Sequence, residues 1–116
     1  MRERIKDIDR LRHIMESIDV LLESRRHHTI DDLKADRILF HGYVKEVEII
    51  GEAAYKLTRE FRCTHPDIEW DDMIAMRHVL VHGYYQISPA KLWDTVVKDL
   101  EPIRPFIAHY IDEWSE

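Results

Sequence analysis

Apolar residues recur along most of this chain in steps of three and four, and the pattern divides it into four helical segments. The first carries Ile5, Ile8, Leu11, Met15, Ile18 and Leu22 and ends near Arg25-Arg26-His27-His28, cations suited to a helix C-terminus. Thr29, with Asp32 three residues on, is a capping-box-like restart. The second stripe runs Leu33, Phe40, Val44, Val47, Ile50, Ala54, Leu57 and Phe61, and predicts one long helix to about residue 62 that Gly42 kinks or divides. Residues 63–69, with Pro66, read as a loop, and a third helix starts near Trp70. Ser88 is a good N-cap and Pro89 a good first helical residue for the last segment. Its stripe is Trp93, Val96/Val97, Leu100, Ile103, Ile107, Tyr110/Ile111 and Trp114. Pro102 and Pro105 should bend or interrupt it, since each removes a backbone donor. No alternating strand stands out. The expected fold is all-α, an up-and-down bundle of four main helices.

Composition narrows this picture without redirecting it. With 45% hydrophobic and 34% charged residues, three Gly and four Pro, the chain suits a helical globule rather than a disordered or all-β one. At 116 residues it reads as one domain, large enough to bury a core without staples. The lone Cys63 can make no internal disulfide, and the charged start Met1-Arg2-Glu3-Arg4 has no apolar stretch of a signal peptide. A cytoplasmic location is the expectation. No apolar run is long enough for a transmembrane helix, so no membrane partner is expected. The formal charge of −6 argues against broad nucleic-acid binding but leaves room for a small basic pocket.

The chemistry concentrates in Arg77-His78-Val79-Leu80-Val81-His82-Gly83-Tyr84, an R-x-x-x-x-H-x-Y arrangement near a helix end. At about 100° per residue, Arg77 lies about 60° from Ile74 and about 40° from Val81, close to the apolar stripe. A guanidinium there cannot lose its charge, so it needs a carboxylate, a carbonyl or a phosphate. Gly83 ends the helix as C-terminal glycines do, leaving His82 on the last turn and Tyr84 just beyond. Such a set suits the handling of phosphate esters. Histidine titrates nearest neutrality and can act as base or acid, and arginine offers a planar fork to phosphate oxygens.

The run Ile49-Ile50-Gly51-Glu52-Ala53-Ala54, followed by Pro66, Trp70, Met76-Arg77, Val81-His82-Gly83-Tyr84 and Trp93, resembles the HepT-like toxins of the HEPN superfamily over essentially the whole chain. Two departures are visible: His78 stands where asparagine is usual, and Glu69 where proline is usual. The resemblance implies a HEPN-like domain over residues 1–116 and a metal-independent endoribonuclease of a toxin–antitoxin system. It also implies a homodimer with Arg77 and His82 at a cleft on the two-fold axis, and no cofactor. The restraining partner it implies is a minimal nucleotidyltransferase antitoxin that attaches AMP to Tyr84. Glu52 is the residue expected to hold Arg77 in position, and His78 bears on the hydrogen bonding of the site. One chain presents one motif histidine while RNA cleavage by the 2′-hydroxyl needs both a base and an acid, a physical reason for a site shared by two copies.

Plainer readings of the same residues stand beside these. Arg77 is also suited to a structural ion pair with Glu52, and His82 to a helix C-terminus stabilised by the dipole. His78 and His82 are four apart, yet Val79 sits where a zincin pattern needs glutamate, so no metal is expected. Asp67, Glu69, Asp71 and Asp72 complement the start of the third helix. The alternative function is a non-catalytic helical module that binds a nucleotide or a partner enzyme through the same cleft.

Overall fold

Two long-range side-chain contacts fix how the first half of the chain is laid out. The computed structural model describes residues 2–115, and the side chains of all of these except 2–5, 84 and 115. α1 (Arg2–Arg25) and α3 (Arg37–Lys56) run antiparallel: the Tyr43 hydroxyl donates to Ser24 Oγ at one end, at 2.9 Å, while Asp7 bonds to Thr58 at the other. α5 (Trp70–Gly83) returns along α3. The chain finishes with α6 (Pro89–Asp94), a π-helical segment (Thr95–Leu100) and α7 (Glu101–Ser115), one continuous helical run that packs back on α1. The described residues contain no strand, and the all-α bundle of four long helical pieces is as the periodicity predicts.

Burial follows the stripes closely. α1 presents Ile8, Leu11, Ile14, Ile18 and Leu21, and α3 presents Val44, Val47, Ile50 and Ala54. Leu92, Val96, Leu100, Ile107 and Tyr110 close the core from the C-terminal side. Each fully buried aliphatic side chain contributes about 1.5–3 kcal/mol relative to its exposed state. Ile5, on the first predicted stripe, lies outside the described side chains. Met15 and Leu22 are only half-buried, while Ile14 and Leu21 carry that face. Two surface ion pairs, Arg25–Glu101 and Arg104–Asp19, both 2.6 Å, join α1 to α7. Exposed pairs of this kind contribute about 0–1 kcal/mol each, so they tune register rather than hold the fold.

The long helix expected from residue 30 to 62 is three helices. α2 (Ile30–Ala35) starts with the predicted capping box, in which Asp32 N–H donates to Thr29 Oγ1 and Thr29 N–H donates to Asp32 Oδ2. It stops at Asp36, whose extended backbone turns the chain and whose carboxylate accepts from Leu39 N–H to cap α3. The second break falls at Leu57–Thr58. Asp7, 2% exposed, accepts from both Thr58 N–H (2.8 Å) and Thr58 Oγ1–H (2.7 Å), while Thr58 Oγ1 accepts from Phe61 N–H and starts α4 (Arg59–Thr64). A buried carboxylate is costly unless hydrogen-bonded, so this clamp fixes the break. Gly42 does not divide α3, which is continuous through it.

The C-terminal run is not interrupted at its prolines either. A proline ring crowds the carbonyl four residues back, which for Pro102 belongs to Lys98. The wider π turns of residues 95–100 take up that crowding and the helix continues. Ser88 Oγ accepts from Lys91 N–H, with Pro89 first in the helix, as expected. Gly83 differs from the expectation: it is the last α-helical residue, buried, and has no positive φ. The chain there tightens into a 3-10 turn (Tyr84–Gln86) instead of ending in a left-handed glycine cap.

Candidate functional site

α5 approaches α3 at Gly51. A Cβ added there would fall well inside contact distance of Arg77 Cβ and 2.7 Å from the Met73 carbonyl oxygen, so only glycine lets the helices come this close. The approach lays the Arg77 side chain along α3. Its Nε lies 2.7 Å from Glu52 Oε2, an ion pair by distance, although the N–H is not aimed well enough to count as a hydrogen bond. Glu52 Oε1 faces Lys56 Nζ at 3.4 Å, so one carboxylate holds two cations. The guanidinium carbon also lies over the Tyr55 ring, 5.8 Å from its centroid, within cation–π range.

Arg77 is therefore not sealed in the core as a structural pair would be. Its side chain keeps 28% exposure and stands at the surface with Glu52, Tyr55 and Lys56, a single flank of α3. Glu52 takes the Nε side of the guanidinium. A guanidinium has a second, bidentate edge between its terminal nitrogens, of the kind that suits an anion. The net balance of Arg77, Lys56 and Glu52 is one positive charge, a small basic spot on an acidic chain.

His78 and His82 are both exposed, with ring centroids 4.5 Å apart and planes 55° from parallel. The structure brings these two together as it brings Arg77 to Glu52, but it does not join the pairs. Five residues of α-helix turn about 140° and rise about 7.5 Å, so Arg77 and His82 look in different directions from α5. Among the described residues no hydrogen bond, ion pair or ring contact links them. Tyr84 begins the 3-10 turn, and its side chain lies outside the described ones; Tyr85 beside it is 73% exposed. Tyr55 and Lys56 carry no signal in the hydrophobic stripe, which passes through Ala54 and Leu57, and only the helical spacing from Glu52 points to them.

On the opposite flank of α5 a groove of about 930 Å³ runs between it and the C-terminal helix, walled by Val47, Ile50, Met73, Met76, Val79 and Ile103. Arg77, His78 and His82 do not line it. Among the described residues no group of three or more His, Cys, Asp or Glu is placed to hold a metal ion. No described helix is long and apolar enough to cross a membrane.

The sequence matches the family model described as "Ribonuclease HepT-like" over residues 1–110. The chain belongs to the HepT-like ribonuclease family. Among its relatives, "Probable ribonuclease HepT" of Thermococcus cleftensis is 32% identical over 96 residues, 83% of this chain and 87% of the relative. A protein of Caldanaerobacter subterraneus subsp. tengcongensis named "Putative RNase" is 32% identical over 90 residues, 78% of this chain and 80% of its own. In Methanocaldococcus jannaschii a protein named "Gamma-glutamylcyclotransferase and putative RNase" is 32% identical over 89% of this chain but only 46% of its own length. No solved structure matches significantly. For a HepT-like ribonuclease the substrate class is RNA, and here Arg77 with Glu52 and the His78–His82 pair stand at two separate places on the surface of α3 and α5.

Proposed function

We propose that this chain is a metal-independent endoribonuclease that acts as a homodimer, the toxin of a toxin–antitoxin pair. The observation that carries the reading is the placement of Arg77: a guanidinium held beside Glu52 at Nε, 2.7 Å away, on a side chain that keeps 28% exposure at the surface. In the reaction a histidine takes the proton of a ribose 2′-hydroxyl. That oxygen attacks the adjacent phosphorus, charge builds on the non-bridging oxygens against Arg77, and the 5′-oxygen leaves with a proton from a second histidine. His82 is the catalytic histidine, and His78 keeps its ring in place or shares the proton. The angle of about 140° between Arg77 and His82 on one helix supports a dimer, because a second copy about a two-fold axis can set its histidines against the first copy's arginine.

The restraining partner is a nucleotidyltransferase antitoxin that transfers AMP from ATP to the Tyr84 hydroxyl with release of pyrophosphate. The added phosphodiester is negative and lies two residues from His82, where it competes with the RNA phosphate. The test of the core reading is His82→Ala. We expect cleavage of a single-stranded RNA to fall by about 10²–10⁴-fold with the melting temperature nearly unchanged, and wild-type cleavage to survive EDTA. Activity within a few-fold of wild type would remove His82 from the mechanism and leave the chain as a binding module. Loss with EDTA and recovery with added metal would overturn the metal-independent reading. For the antitoxin, mass spectrometry after incubation with ATP and the partner should find AMP on wild type and Tyr85→Phe but not on Tyr84→Phe.

A further inference from the structure

We propose that Tyr55 is the platform on which a base of single-stranded RNA stacks while Arg77 holds the neighbouring phosphate. The proposal rests on the ribonuclease reading and adds a residue and a substrate form to it. Tyr55 lies three residues after Glu52, one helical turn along α3, and off the buried stripe that includes Ala53, Ala54 and Leu57. It is 58% exposed, so most of its ring does not contribute to the core. An aromatic side chain of this size left open is conspicuous beside a charged group that already touches it. The Arg77 guanidinium carbon is 5.8 Å from its centroid, which ties the ring to the phosphate-binding edge.

The chemistry of a nucleotide fits that spacing. Phosphate and base are joined through a single sugar, so a phosphate on the Arg77 fork places a flanking base within reach of the next aromatic surface. Every base has a π-face, so such a platform tolerates sequence but requires an unpaired, splayed base. The electrostatics make it needed. With a formal charge of −6 the chain gains little from its overall field, and Arg77 with Lys56 amounts to one net positive charge once Glu52 is counted. Stacking supplies affinity that does not depend on charge. Duplex RNA, whose bases are already stacked, should be a poor substrate.

The experiment uses full-length protein and a short fluorescein-labelled single-stranded RNA of mixed sequence. In the non-cleaving His82→Ala background, Tyr55→Ala should weaken binding about tenfold by anisotropy, while Tyr55→Phe and Tyr55→Trp should keep it. In the otherwise wild-type chain, Tyr55→Ala should raise KM about tenfold and leave kcat within a few-fold. An RNA with abasic sites flanking the scissile phosphate should bind wild type less well and Tyr55→Ala no worse than intact RNA. Unchanged affinity in Tyr55→Ala would overturn the platform and leave the ribonuclease reading standing. So would a drop in solution mass for Tyr55→Ala, which would make Tyr55 an interface residue. Tyr55-dependent RNA binding by a wild-type chain that cleaves nothing would do the reverse, and a wild-type chain that neither binds nor cleaves RNA would end both.

Discussion

α1 and α5 both lie along α3, but α1 is enclosed and α5 is not. α1 sets Leu11, Ile14, Ile18 and Leu21 at 0–1% exposure between α3 and α7. α5 has only Trp70, Leu80 and Gly83 buried among its 14 residues, and its chief packing partner is α3. On one flank it carries Arg77 toward Glu52 and Tyr55; on the other, Met76 and Val79 wall an open groove. The helix that carries Arg77 and the histidine pair is thus held less by the core than α1 is. Tight packing and open chemistry compete for the same helical surface, and here they fall on different helices, with α3 as their shared support.

The largest effect expected from this contrast is in the core. Ile14→Ala removes a side chain with no exposure and should cost about 2–5 kcal/mol, measured by urea unfolding. Val79→Ala on α5, at 47% exposure, should change stability by no more than about 0.5 kcal/mol in either direction. Equal losses at the two positions would mean that α5 is covered in solution by something as well packed as the core.

Gly51→Ala tests the seam between the two regimes. The new methyl would collide with Arg77 Cβ and the Met73 carbonyl, both on α5 and close to its backbone, so the helices must separate. Overpacking of this kind costs about 1–3 kcal/mol. Cleavage per folded molecule should fall as well, since the shift carries Arg77 away from Glu52. A variant as stable and active as wild type would show that the close approach at Gly51 does not position the site.

How much of this was readable in the chain divides along similar lines. The capping box at Thr29, the cap at Ser88 and the four stripes were legible because each is a local pattern within a few residues. The breaks at Asp36 and at Leu57–Thr58 were not, since the apolar period runs through both without a fault. The second is set by Asp7, 51 residues away, which accepts from Thr58. The π segment escaped for a related reason: proline announces trouble for a helix but not whether the backbone breaks or widens. At the site, the need of a guanidinium for a partner was legible, and Glu52 Oε2 stands 2.7 Å from Arg77 Nε. Tyr55 was not, because a residue off the apolar stripe reads as ordinary surface until its neighbour across the helix pair is known. The divergence of Arg77 and His82 was implicit in their five-residue spacing, which cannot place two side chains on one face.

The smallest structural change with a distinct outcome is Arg77→Lys. The ion pair with Glu52 is part-exposed, 28% and 36% for the two side chains, and pairs of that kind contribute about 0–1 kcal/mol. Lysine keeps the charge and can still meet the carboxylate, so the melting temperature should move by only a degree or two below wild type, within what about 0.5 kcal/mol produces in a domain of this size. Lysine's ammonium is a point charge without the planar fork, so once Glu52 holds it the geometry that meets two phosphate oxygens in parallel is lost. Cleavage of single-stranded RNA should drop by at least about tenfold, the equivalent of one charge-assisted hydrogen bond. If instead the melting temperature falls sharply while cleavage per folded molecule stays at the wild-type rate, Arg77 belongs to the packing of α5 on α3. The open helix would then be held more like the enclosed one than its exposure suggests.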